Sequence, residues 1–110
     1  MHLPIYLQNA IARHARACYP EESCGLVIDA ARYVPCLNTS STPREAFAIS
    51  PADWAAAEDL GDITEVVHSH PDGAAFPSGA DFSAQAATGL PWVIVALGPD
   101  GVRGWYEFGA

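Results

Sequence analysis

His68-Ser69-His70-Pro71 is followed by Ser78 and, after two more residues, by Asp81. Two imidazoles at positions i and i+2 near the end of a strand project from the same face, so both can reach one ion. The Pro71 to Pro77 stretch, with its Asp72-Gly73 turn, returns the chain over that strand end and brings Asp81 within reach as an oxygen ligand. Two nitrogens and one carboxylate leave a fourth position open, which is the composition of a catalytic zinc site. Such a site also needs a carboxylate to accept and deliver a proton. Glu21 and Glu22 lie between the first predicted helix and the first predicted strand. Glu22 is the better placed, because the strand begins just after Ser23 and holds it at a defined edge.

Each of these residues also has a plainer role. An isolated H-x-H is more often an ordinary histidine pair at a strand end than a ligand pair. Ser78-Gly79-Ala80-Asp81 reads as a helix N-cap with an acidic third position, worth about 1 kcal/mol without any catalysis. That reading is compatible with the metal site, since a cap sets Ser78 and Asp81 at the mouth of the helix, facing the strand. Cys24, at the start of an apolar strand, is expected to be a buried small hydrophobe and not a nucleophile. Trp92, Trp105 and Phe108 are expected to pack the core or the sheet, and Asp72 to serve its turn; His2 and His14 receive no function. A zinc nucleoside deaminase would need H-x-E and P-C-x-x-C, and the chain has neither.

The elements that position these residues follow from periodicity and breakers. Apolar Leu3, Leu7, Ile11 and Cys18, with four alanines between them, predict a helix from Leu3 to Cys18 that Tyr19-Pro20 ends. Cys24 to Ile28 and Tyr33 to Leu37 form a hairpin about an Asp29 to Arg32 turn. After an Asn38 to Arg44 loop, Ala46 to Ile49 is expected to be a short strand. Ser50 caps a second helix with Pro51 at its first position, and Gly61 stops it. A strand from Ile63 to His68, a helix from Ser78 to Ala87 stopped by Gly89, and strands Trp92 to Leu97 and Val102 to Phe108 complete the chain. The class is α/β in the broad sense (α+β), a single domain with a mixed sheet packed against helices.

Composition bounds the function. The 110 residues, half of them hydrophobic, suffice for one compact domain, and only 16% are charged, which excludes disorder. The net charge is −8, and all five basic residues are arginine. That argues against nucleic acid or an anionic membrane as partner. No apolar run is long enough to cross a bilayer, no leader is recognisable, and the odd count of three cysteines contains no C-x-x-C pair. A soluble protein of a reducing, cytoplasmic setting is expected, or a tail component if the gene is carried by a phage.

Glu22-Ser23-Cys24-Gly25, then His68-x-His70, seven residues, Ser78, two residues and Asp81, resembles the JAMM (MPN+) motif of zinc-dependent isopeptidases and peptidases, over nearly the whole chain. The resemblance implies the JAMM/MPN, cytidine-deaminase-like fold, one Zn2+ held by His68, His70 and Asp81, Glu22 as general acid/base and Ser78 stabilising the tetrahedral intermediate. Tyr19-Pro20, Asn38 in its loop and Gly89-Leu90-Pro91-Trp92 look most like the JAMM domain of phage tail assembly proteins. There it is commonly followed by a papain-like cell-wall peptidase domain, for which 110 residues leave no room. The expected function is hydrolysis of a peptide or isopeptide bond in a peptide or protein tail, in phage-tail or cell-wall processing or in maturation of a ubiquitin-like protein. Little length remains for segments that would grip ubiquitin itself. The alternatives are a noncatalytic MPN-type interaction scaffold and a fragment of a larger two-domain phage tail peptidase.

Overall fold

Alternate residues of each strand point to opposite sides of the sheet, and this period of two divides the molecule into two unequal faces. The computed structural model describes residues 1–109. Its elements are α1 (Ile5–Cys18), β1 (Cys24–Ile28), β2 (Arg32–Cys36), α2 (Pro51–Glu58), β3 (Ile63–Pro71), α3 (Gly79–Thr88), β4 (Trp92–Gly98) and β5 (Gly101–Phe108). The five strands form one sheet in the order β2-β1-β3-β4-β5. All neighbours are antiparallel except β3 and β4, which run parallel. A parallel pair needs a crossover, and α3 lies in the connection between them.

One face packs on α1. Leu3, Leu7, Ile11 and Ala15 meet Val27, Val67, Val93, Val95 and Leu97 in a buried apolar cluster. The other face gathers Cys24, Leu26, Ile28, Val66 and Trp92 with Ala57 and Trp54 of α2. Strand β3 serves both, with Val67 on the α1 side and Val66 on the α2 side. The sequence-based expectation of one mixed α+β domain holds.

Several boundaries differ from expectation, most by one residue and four in ways that matter to the packing. Helix α1 starts at Ile5, because Pro4 occupies the N-cap, yet Leu3 is still buried beside it. Helix α2 is capped by the Ser50 hydroxyl as expected but ends at Glu58, three residues before Gly61. Gly61 instead permits a close approach, since a Cβ there would lie 2.3 Å from Asp29 Oδ2. Strand β3 continues past His68 to Pro71, so both histidines belong to it. The short strand expected over Ala46 to Ile49 is only a single bridge between Asn38 and Ile49. The Asn38 amide binds the Ala46 carbonyl and the Ala48 N–H, groups that a strand ladder would otherwise use. Helix α3 ends as expected, with Gly89 in the left-handed conformation at φ 66°.

Candidate metal centre

Val66, His70 and Pro71 of β3, Trp92 at the start of β4 and one face of the crossover helix α3 line a cleft of about 650 Å3. His68 and His70 project from β3 onto this side, and their Nε2 atoms are 3.1 Å apart. The capping box of α3 delivers Asp81: the Ser78 hydroxyl accepts from the Asp81 N–H, and the Ser78 N–H donates to Asp81 Oδ2. Asp81 then places Oδ1 3.2 Å from His68 Nε2 and Oδ2 3.1 Å from His70 Nε2. One local motif thus caps the helix and aims the carboxylate.

Glu22 reaches the cluster from the α1–β1 connection. Its carboxylate and the two imidazoles offer ligand atoms that all lie within 4.8 Å of one another. Its backbone is held at both ends, the N–H donating to the Pro43 carbonyl at 2.7 Å and the carbonyl accepting from the Asn38 amide at 3.1 Å. The next residue is tied to β3 between the histidines: Ser23 N–H donates to Ser69 Oγ, and Ser69 N–H to the Ser23 carbonyl. Glu21 is exposed and takes no part in this cluster, whereas Glu22 is buried within it.

The electrostatics favour a cation. Burial pushes the Glu22 carboxyl up to about 7, opposed by His70 and reinforced by the Asp81 charge. Burial likewise lowers the His68 imidazole, despite Asp81, and keeps it neutral. Asp81 feels the same desolvation upward, but its bonds to His68 and to the Ser78 N–H outweigh it and hold the carboxyl well below the usual range. His70 Nδ1 lies 2.8 Å from the Ala74 carbonyl, which can only accept, so Nδ1 carries a proton and the ring turns Nε2 toward the cluster. That nitrogen faces a carboxylate oxygen that already accepts from the Ser78 N–H. Two imidazole nitrogens and two carboxylate oxygens converging in one place are a donor set suited to zinc.

All five residues singled out in the sequence (Glu22, His68, His70, Ser78 and Asp81) meet at this cleft. Sequence reasoning missed three that hold them. Phe47 stacks on His68 at 4.4 Å between ring centroids, and Trp92 meets the same ring edge-on at 5.5 Å. Together they fix an imidazole whose Nδ1 is buried without a hydrogen-bond partner. Asn38 organises the loop that carries Phe47, accepting from the Ser40 N–H; the sequence signal for it is an asparagine opening a Ser/Thr/Pro-rich stretch. Cys24 is buried and its thiol pushed up to about 12, chiefly by burial, so it is inert as a nucleophile. Among the described residues no helix is long and apolar enough to cross a membrane.

Residues 4–107 match the family described as prokaryotic homologs of the JAB domain. The chain is 49% identical over 96 residues to tail tip assembly protein K of Escherichia phage N15, covering 84% of this chain and 39% of that protein. The protein of the same name from Escherichia phage lambda is 46% identical over 50 residues, 46% of this chain and 25% of its own length. This chain therefore spans well under half of the phage relatives it matches. The CysO-cysteine peptidase of Mycobacterium tuberculosis is 28% identical over 101 residues, which cover 82% of this chain and 68% of that protein. A solution structure of a Salinibacter ruber protein, 24% identical, superposes with a TM-score of 0.60 over 94% of this chain and 77% of its own, and so shares the fold.

Proposed function

Because the chain belongs to the family of prokaryotic homologs of the JAB domain, we propose that it is a zinc-dependent metallopeptidase that hydrolyses a peptide or isopeptide bond. The observation that carries this reading is the convergence of Glu22, His68 and His70 within 4.8 Å, with both Asp81 oxygens against the same two imidazole nitrogens. His68, His70 and Asp81 are the zinc ligands. Bound there, zinc supplies a Lewis acid that polarises the scissile carbonyl and acidifies the attacking water.

The protein's own groups do the rest. Glu22 takes the proton of the attacking water and returns it to the leaving amine. A carboxyl raised to about 7 by its surroundings matches that two-way task near neutral pH. Ser78 spends its oxygen lone pair on the Asp81 N–H and keeps its own proton for the developing oxyanion. His70 is held in the tautomer that leaves Nε2 free by its bond to the Ala74 carbonyl.

The likeness to tail tip assembly protein K supports a place in phage tail assembly, with tail components or a cell-wall peptide as substrate. The likeness to a CysO-cysteine peptidase supports the peptidase activity itself, and a second reading of the substrate is the tail of a ubiquitin-like protein. Incubating the zinc-loaded protein with linear and branched peptide libraries, with and without chelator, tests the activity. Chelator-sensitive cleavage that disappears in Glu22→Gln is expected. Cleavage that persists in both conditions would remove the assignment.

A further inference from the structure

The cleft continues away from the carboxylates into a region without charge. Beyond His70, Asp81 and Ser78 its walls are Phe47, Ile49 and Trp54 on one side and the Ala80, Ala84 and Thr88 face of α3 on the other, over Val66 and Trp92. The two regions share walls, because Phe47 and Trp92 are the rings that enclose His68. The floor is already fixed: the Trp92 indole N–H donates to Thr88 Oγ1 at 3.0 Å, and Thr88 Oγ1 donates to the Gln85 carbonyl at 2.9 Å. Trp92 therefore offers a ligand an apolar surface and no donor. A cleft of about 650 Å3 lies within the range of sites that bury a small ligand, far more than a water molecule and a scissile bond require.

We propose that this apolar half is a specificity pocket, and that the substrate is a peptide carrying a large apolar side chain, of the leucine or phenylalanine class, beside the bond that is cut. The identity of the occupant as a peptide residue rests on the peptidase reading above. The alanines of α3 leave the width for that side chain, and half-buried Phe47 and Trp54 supply the apolar surface that covers it, over a floor of Val66 and Trp92. Arg44 and Glu45 also line the cleft, and Arg44 has no acidic partner among the described residues. A serine at the same position would find no free hydrogen-bond partner among these apolar walls and would lose its hydration. Burying a large apolar side chain corresponds to a preference of about tenfold to a hundredfold over serine.

The test uses the zinc-loaded chain with indole-labelled tryptophans and the acetylated, amidated peptides Gly-Gly-X-Gly-Gly, with X as phenylalanine, leucine, serine or aspartate. Trp54 and Trp92 report the pocket, and Trp105, which packs toward the α1 face, is the internal reference. Phenylalanine and leucine peptides should shift the first two indoles and not the third, and bind at least about tenfold tighter than the serine peptide. Filling the pocket with Ala84→Phe should abolish that preference while zinc content stays at the wild-type level, and the smaller Ala84→Leu should reduce it part way. Equal binding of all four peptides, or a preference untouched by Ala84→Phe, would overturn the pocket. Binding with the expected preference but no hydrolysis keeps the pocket and counts against the peptidase. Hydrolysis without the preference keeps the peptidase and removes the pocket.

Discussion

The two faces of the sheet are built from the same strands and differ in almost every physical respect. Toward α1, side chains from Leu3 to Leu97 close into a continuous apolar layer, and the one buried acid, Glu65, sits at its margin beneath His2. Toward α2 and α3 the layer is interrupted by a cleft, and a fully buried histidine and two nearly buried acids stand where apolar residues would pack better. Neighbouring residues of β3 make the contrast: Val67 is core, and His68 beside it is a ligand candidate. The α1 face holds the fold together so that the other face can carry desolvated polar groups that cost stability. Changes on the two faces should therefore separate stability from chemistry.

The largest separation is expected for Glu22→Gln. Turnover should fall by about 10^2- to 10^4-fold with zinc still bound, read by peptide cleavage alongside metal analysis. On the opposite face, Leu7→Ala or Ile11→Ala should lower the unfolding free energy by about 2 to 5 kcal/mol in urea melts while zinc affinity of the folded protein holds. A loss of zinc affinity there would show that the faces are not independent.

Glu22→Gln should also reveal the cost of the site in chelated protein. The folded carboxyl lies at about 7 against an ordinary 4.5, so the folded state binds the proton more tightly. The contribution of this carboxyl is then most favourable at low pH and is lost as pH rises from about 4.5 through about 7. The variant should accordingly gain on the order of 2 kcal/mol at pH 8 and little at pH 4. A smaller effect belongs to Ser78→Ala, which removes the cap of α3 at about 1 kcal/mol. It should also slow turnover, and a change in stability alone would leave Ser78 as a cap only. The smallest is His2→Ala on the α1 side. The bonds to Glu65 and then Glu107 raise its imidazole, so its contribution is present below pH 6.5 and fades as pH rises through the higher folded value. For this exposed contact the loss should stay under about 1 kcal/mol.

The site was more legible in the sequence than the loop that supports it. His68, His70, Ser78 and Asp81 lie on a strand end and a helix start, and both follow local rules: period two for the histidines and a capping box for the other pair. Glu22 is 46 residues from His68 in the chain, and its place depends on bonds to Ser69, Pro43 and Asn38 that no local pattern encodes. Ala46 to Ile49 looked like a strand because its apolar residues suit one, but the Asn38 side chain captures its backbone groups. Trp92 and Phe47 could not be distinguished from core residues by type. They are core residues, and the same rings are the walls of the cleft.

Zinc stoichiometry is the most direct test of the account. Native mass spectrometry of the purified, zinc-reconstituted chain should find one zinc per molecule, retained in Glu22→Gln and lost in His70→Ala and Asp81→Ala, with all four proteins folded. A wild-type chain that takes up no zinc, or ligand variants that keep it, would contradict the account.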